Sequence, residues 1–204
     1  MNIFLQGLTM GLAYVAPIGM QNLFVINSAL TNKRKRALLT ALIVIFFDIT
    51  LSLACFFGIG TIMQKFKWLQ MVILCVGSLI VIYIGISLLR AKTQDLEKDQ
   101  PTMSIKKTIS SACVVTWFNP QAIIDGTMML GAFHVTLAAG QETPFITGVA
   151  CASFSWFIGL TFLISLISSK FNAKVMRWIN IVCGVIIIGY GIKLFVSFVQ
   201  MLFN

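Results

Sequence analysis

Two aspartates, Asp48 and Asp125, stand inside long apolar runs with no lysine or arginine near them in the sequence. A carboxylate at the centre of a membrane helix costs about 2.5 to 3.5 kcal/mol, so such a residue ordinarily faces a polar cavity and has a task there. The plainer reading is a hydrogen-bonded packing residue, for example Asp48 held by Ser52 one turn along. Lys193, near the end of the last apolar run, can reach toward the headgroups. The two aspartates therefore form a negative site with no basic residue at its depth. Its natural partner is a cation or a proton: an apolar surround favours the protonated carboxyl, and a nearby positive charge favours the ionised one.

Two prolines bring further polar groups beside these acids. One run reads Ala16, Pro17, Ile18, Gly19, Met20, Gln21, Asn22, and the other Thr116, Trp117, Phe118, Asn119, Pro120, Gln121. Proline removes a backbone donor and frees a carbonyl one turn earlier. In a bilayer the freed groups must be met by protein, water or ligand, so a pair of broken helices points to a binding site near the midplane. Gln121 and Asp125 are four residues apart and share a helix face. Ser153, Ser155 and Trp156 could line the same cavity, although serines also serve to pack helices closely. A kink that only shapes packing is the alternative for either proline.

Enzyme chemistry finds few groups to use. The single histidine, His134, falls at the end of an apolar run, and there is no G-x-S-x-G, H-E-x-x-H or phosphate loop. The cysteines Cys55, Cys75, Cys113, Cys151 and Cys183 all lie in apolar runs without C-x-x-C spacing, so they read as packing residues and no metal site or cofactor is expected.

The elements that must position these groups follow from composition. The chain of 204 residues is 58% hydrophobic and 10% charged, against roughly half and a quarter in soluble domains. A bilayer core needs about 20 helical residues. Six apolar spans meet that need, near 3–28, 37–63, 68–90, 108–132, 144–169 and 175–200, which predicts an all-α polytopic membrane protein with one membrane domain. No basic region precedes the first span, and it is too long for a signal-peptide core, so it is expected to stay in the mature protein.

The net charge of +9 could suggest nucleic acid, but its location argues for a membrane surface instead. Twelve basic residues fall in the first, third and fifth connections: Lys33 to Arg36; Arg90, Lys92, Lys98, Lys106 and Lys107; and Lys170, Lys174 and Arg177. The second has Lys65 and Lys67, and the fourth has none. Loops one, three and five are therefore expected on the cytoplasmic side of the cell membrane, with both termini outside if all six spans cross.

The polar stretch 91–107 reads as a linker between half one, 1–90, and half two, 108–204. Tyr83-Ile84-Gly85-Ile86 and Tyr190-Gly191-Ile192 are alike, and Pro17 and Pro120 lie at similar depths. Three-span halves enter the membrane from opposite sides, so these likenesses predict two inverted three-helix repeats. Gly184, Gly189 and Gly191 read as a packing face, and small-residue faces permit a homodimer without requiring one.

Taken in order, these segments resemble the LysE-type lysine and arginine exporter family over almost the whole chain. Phe4, Gln6, Gly7 and then Pro17, Ile18, Gly19, Gln21, Asn22, Phe24 and Val25 are similar to its P-[LI]-G-x-Q-N-x-F-V signature. Asp48 before Gly58 follows, then Thr116, Trp117, Asn119, Pro120 and Asp125, similar to T-W-x-N-P-x-x-x-x-D. Ala152, Ser153, Trp156 and Gly159, then Ile179, Asn180 and Gly184, complete the likeness.

The resemblance implies a secondary transporter that exports lysine or arginine, and an acidic site able to bind either a cation or a proton suits exchange for protons. Asp125, commonly missing from relatives that export neutral amino acids, favours a cationic substrate. Gln121 stands where some members carry histidine. The expected site is then Asp48 and Asp125 for the side-chain cation, with Gln21, Asn22, Asn119 and the backbone opened by Pro17 and Pro120 for the amino-acid end. Neutral amino acids and metal cations are the alternative cargoes, although two separated aspartates are few ligands for a metal.

Overall fold

A computed structural model describes residues 2–17, 19–58, 66–90, 103–168 and 173–203, and all regular structure among them is helical. The helices are α1 (Ile3–Val15), α2 (Met20–Thr31), α3 (Arg34–Phe56), α4 (Lys67–Arg90), α5 (Ile105–Trp117), α6 (Pro120–Gly126), α7 (Ala132–Thr136), α8 (Glu142–Ser168) and α9 (Ala173–Phe203). A π-helical turn, Thr127–Gly131, joins α6 to α7. Some helix falls within each of the six expected spans, the first as α1 and α2 and the fourth in pieces from α5 to α7. Among the described residues three helices are long and apolar enough to cross a membrane, Arg34–Phe56, Glu142–Leu166 and Gly184–Phe203, with a fourth if the pair α1–α2, bent by 78°, is counted as one span.

Local chemistry sets the ends. Asn2 caps α1 by accepting from the Phe4 N–H at 3.1 Å, and Ser104 caps α5 by accepting from the Lys107 N–H at 3.3 Å. α1 stops just before Pro17, and α6 begins with Pro120 in its first turn behind the capping Asn119. α3 ends at Phe56, short of the expected 63, because Gly58 turns the chain with φ of 98°. Residues 59–63 of that expected span, and most of the linker 91–107, lie outside the described residues.

α3 is the central helix, packing on α2, α5, α6, the π turn and α8. It runs parallel to α5: Arg36 donates to Thr108 Oγ1 at one end, and Thr50 Oγ1 accepts from Trp117 Nε1 further along. α1 runs parallel to α8, its Gly7 against the Phe145 carbonyl and its Gly11 against Val149 and Ala152. α4 and α9 run antiparallel, with Gly85 facing Ile188 and Gly191 facing Ile82. Glycine lets these backbones approach closely, as membrane helix pairs need. Gly184 joins this face against Leu89, but the expected third member, Gly189, meets nothing within 4 Å and is exposed. The face turns away from Gly189 because positions 184 and 191 are two helical turns apart, and 189 falls off that line.

Candidate functional site

Asp48 sits at the middle of α3 with 0% exposure, and its Oδ2 accepts a hydrogen bond of 2.5 Å from Ser153 Oγ on α8. Ser52, the partner expected one turn along, does not fill that role; its own hydroxyl is buried without a partner. The carboxylate is thus held across a helix interface. Ser153 contributes a direct bond to the acid, which is more than the packing role open to it from sequence.

The first helix break is closed by a side chain. Asn22 Nδ2 donates to the Val15 carbonyl at 2.9 Å and to the Pro17 carbonyl at 2.7 Å, two acceptors left over where α1 stops. Its Oδ1 accepts from Trp156 Nε1 at 2.8 Å. With both ends engaged and 3% exposure, Asn22 is a strut between the break and α8. The anchor of this strut on α8 is Trp156, one of the expected lining residues. Trp156→Phe keeps the ring but strands a buried acceptor, a loss of about 1 to 3 kcal/mol. A lowered unfolding midpoint in detergent is the expected result; an unchanged midpoint would show that Asn22 needs no anchor.

The second break is capped by its own residue. Asn119 Oδ1 accepts from the Ala122 N–H at 3.4 Å and starts α6. Asn119 is therefore partly committed to the helix end, while Pro120 shapes the entry. The side chains of Pro120 and Gln121 lie outside the described residues. Pro17, at the other break, is exposed. Asp125 lies half-buried in the last turn of α6, immediately before the π turn. Such turns widen a helix locally and are frequent at functional sites.

Tyr14 links the two breaks and was not among the expected site residues. One turn before Pro17, its hydroxyl donates to the Ala122 carbonyl of α6 at 3.3 Å. Asp48, Asp125 and Cys55 all act electrostatically on its phenol. Both acids are thereby brought to the neighbourhood of one side chain. Gly126 allows this crossing, since a Cβ there would come within 2.9 Å of Cys55 Sγ and 3.3 Å of the Tyr14 ring. The sequence signal was available: a lone aromatic hydroxyl in an apolar helix, one turn from a break, needs a polar partner.

Chemically, the arrangement can hold positive charge. One acid is sealed between three helices, a second is more open, and both adjoin backbone interrupted within the fold. Among the described residues no group of three or more His, Cys, Asp or Glu is placed to hold a metal ion, and the described cysteines are free thiols. The expected cysteine packing role fits buried Cys55, whereas Cys151 is exposed; the Cys183 side chain lies outside the described residues.

Comparison with known proteins adds the last observation. A family profile described as LysE type translocator matches residues 12–197. An arginine exporter protein ArgO from Klebsiella pneumoniae (strain 342) is 32% identical over 188 residues, covering 90% of this chain and 88% of its own. Proteins of the same description from Salmonella schwarzengrund (strain CVM19633) and Salmonella enteritidis PT4 (strain P125109) are each 31% identical with the same coverage. No solved structure matches the chain significantly.

Proposed function

The chain belongs to the LysE type translocator family, and from that premise we propose that it exports arginine, and lysine beside it, across the cell membrane in exchange for protons. It is a membrane-embedded translocator and not an enzyme. The observation that carries the choice of cargo is the pair Asp48 and Asp125, gathered around Tyr14 beside two helix breaks. Arginine as substrate also draws on the relatives described as arginine exporters. In this reading the cationic side chain enters from the cytoplasm toward the acids, and its amino-acid end meets the backbone between α5 and α6.

Six crossings suit the helix directions. Alternate crossing makes the first and fifth spans parallel, the second and fourth parallel, and the third and sixth antiparallel. The glycine contacts of α1 with α8 and α4 with α9, and the bonds of α3 with α5, run in those senses. An inverted repeat of halves 1–90 and 108–204 would exchange the α1–α8 pair with the α5–α3 pair and one broken span with the other, in agreement with the same contacts. For orientation, Arg36 donates to the Met103 carbonyl at 2.7 Å and Arg177 to the Leu89 carbonyl at 2.8 Å. Basic residues of the first and fifth connections thus touch the two ends of the third, which supports a common cytoplasmic face.

Moving one positive charge outward costs about 2.3 kcal/mol per 100 mV of inside-negative potential. An entering proton cancels that movement, which favours antiport over a pore. The test is labelled arginine flux in proteoliposomes carrying a pH gradient, with lysine and threonine as competitors. Gradient-driven arginine flux suppressed by lysine and not by threonine is the expected result. Threonine flux in place of arginine, or cargo limited to metal ions, would overturn the reading.

A further inference from the structure

The sealed acid has company at its own depth. Asp48 Oδ1, Ser52 Oγ and Thr116 Oγ1 are all buried without a hydrogen-bond partner. Asp48 and Ser52 are one turn apart on α3 and share a face. Thr116 belongs to α5, whose register against α3 is fixed by contacts with sequence offsets of 72 at Arg36–Thr108 and 67 at Thr50–Trp117; Cys55–Ile123, just beyond α5, has an offset of 68. Near the middle of α3, where the last two apply, that register sets Thr116 level with residues 48 and 49. Ser153 completes the level from α8. Exposure of these four residues is 0% for Asp48 and Thr116 and 1% for Ser52 and Ser153, whereas Asp125 is half-buried.

Polar oxygens buried this deeply in a membrane protein are costly unless something meets them. What they offer is one carboxylate charge and several hydroxyl lone pairs, all hard oxygen donors. A single small cation of one charge matches that set. A divalent or transition metal would need more ligands than the described residues supply. A guanidinium needs a more open acid, and Asp125 is one.

We propose that Asp48, Ser52, Thr116 and Ser153 form the site of one monovalent coupling cation, hydronium or sodium, separate from the position where Asp125 meets the cargo. This rests on the reading of the chain as a cation-exchanging exporter and locates its two binding events on different acids. Gln21 supplies the link between them. Its side chain, on α2 beside the first break, approaches the Asp48 carboxylate as a hydrogen-bond donor, with neither Nε2 nor Oδ1 fully satisfied. When the cation leaves, this amide is the donor that closes on Oδ1, so the state of the ion site is passed to the broken helix. The titratable groups that interact with Asp48 are Tyr14 of α1 and Cys55 on α3 itself, and Asp125 of α6 acts on the same Tyr14; α2 and the facing side of α8 bring none among the described residues.

Thr116→Val and Ser52→Ala remove hydroxyls from the ion site and leave both acids in place. Each is reconstituted and compared with the native protein by two readouts. One is arginine efflux driven by an inward sodium gradient at equal pH, or by a pH gradient in choline. The other is arginine–arginine exchange with equal pH and sodium on both sides. The half-saturating cation concentration for driven efflux should rise about tenfold, as for loss of one bond to a charged group, while exchange stays within about twofold.

The gradient that drives efflux identifies the ion as sodium or hydronium. Equal loss in both readouts, or unchanged cation dependence in both variants, would overturn the proposal. If arginine is not carried at all, the cation alone decides. Tryptophan fluorescence of a Trp68→Phe, Trp178→Phe background, which leaves Trp117 and Trp156 near the site, is titrated with sodium chloride against choline chloride and with acid. A response weakened by Thr116→Val supports the ion site independently of the cargo, and a flat or unshifted response rejects it.

Discussion

Asp48→Asn is expected to lower gradient-driven arginine efflux by about two orders of magnitude, the scale set by losing one buried charge partner. Asparagine keeps the volume of the side chain and an oxygen for the Ser153 hydroxyl, so the α3–α8 contact survives. What it loses is the negative charge, and with it the means of holding a positive species at a depth where no basic side chain pairs with Asp48 among the described residues. Asp125→Asn should fail differently. Its acid is half-buried at the end of α6 and faces the cargo in the proposed scheme, so its loss should raise the concentration of arginine needed for half-maximal flux. The measurement is labelled arginine efflux over a range of internal arginine at fixed gradient, with equal protein inserted and melting profiles compared. Flux within about threefold of the native protein for Asp48→Asn would remove that carboxylate from transport, since a charge buried in low dielectric cannot be replaced so cheaply.

How much of this was open to sequence reading can be seen residue by residue. The spans were legible because bilayer thickness sets a length that the apolar runs must meet. The breaks were legible because proline has no N–H to continue a helix: α1 stops just before Pro17, and α6 starts at Pro120. The acids were legible because charge in an apolar run is costly. Partners across helices were less accessible. Sequence spacing offered Ser52 for Asp48, since residues four apart are neighbours on a helix, but the bond goes to Ser153, 105 residues away, where the packing of α8 sets the geometry. Asn22 read as a polar group for the cargo; only the positions of Val15, Pro17 and Trp156 reveal that both its amide hydrogens meet the break and that its oxygen accepts from α8. The π turn after Asp125 has no proline or glycine pattern that demands it, as Gly126 and Gly131 at its edges are also ordinary packing residues. Local signals gave the elements and their interruptions, and the identity of each contact depended on how the helices settle against one another.

Gly148→Val should be among the most damaging single changes to folding, and Gly189→Val among the most innocuous, although both replace a glycine in a long apolar helix. At Gly148 an added Cβ would overlap the Phe4 carbonyl of α1 and come within 2.7 Å of the Leu8 N–H. Both are backbone atoms of a helix already pinned by Gly7 against Phe145, so neither can swing aside as a side chain would. Relief requires α1 to move off α8, and overpacking of this kind costs about 1 to 3 kcal/mol or more. The damage should reach the site, because α8 also carries Ser153 and Trp156, and α1 carries Tyr14 and the carbonyl of Val15. At Gly189 nothing lies within 4 Å, and a branched side chain there meets only the surround of α9. Yield of monodisperse protein in detergent and its unfolding midpoint provide the comparison. Equal behaviour of the two variants would mean that α1 and α8 are not held at glycine distance, and the route from the first break to Asp48 through α8 would fall with that contact.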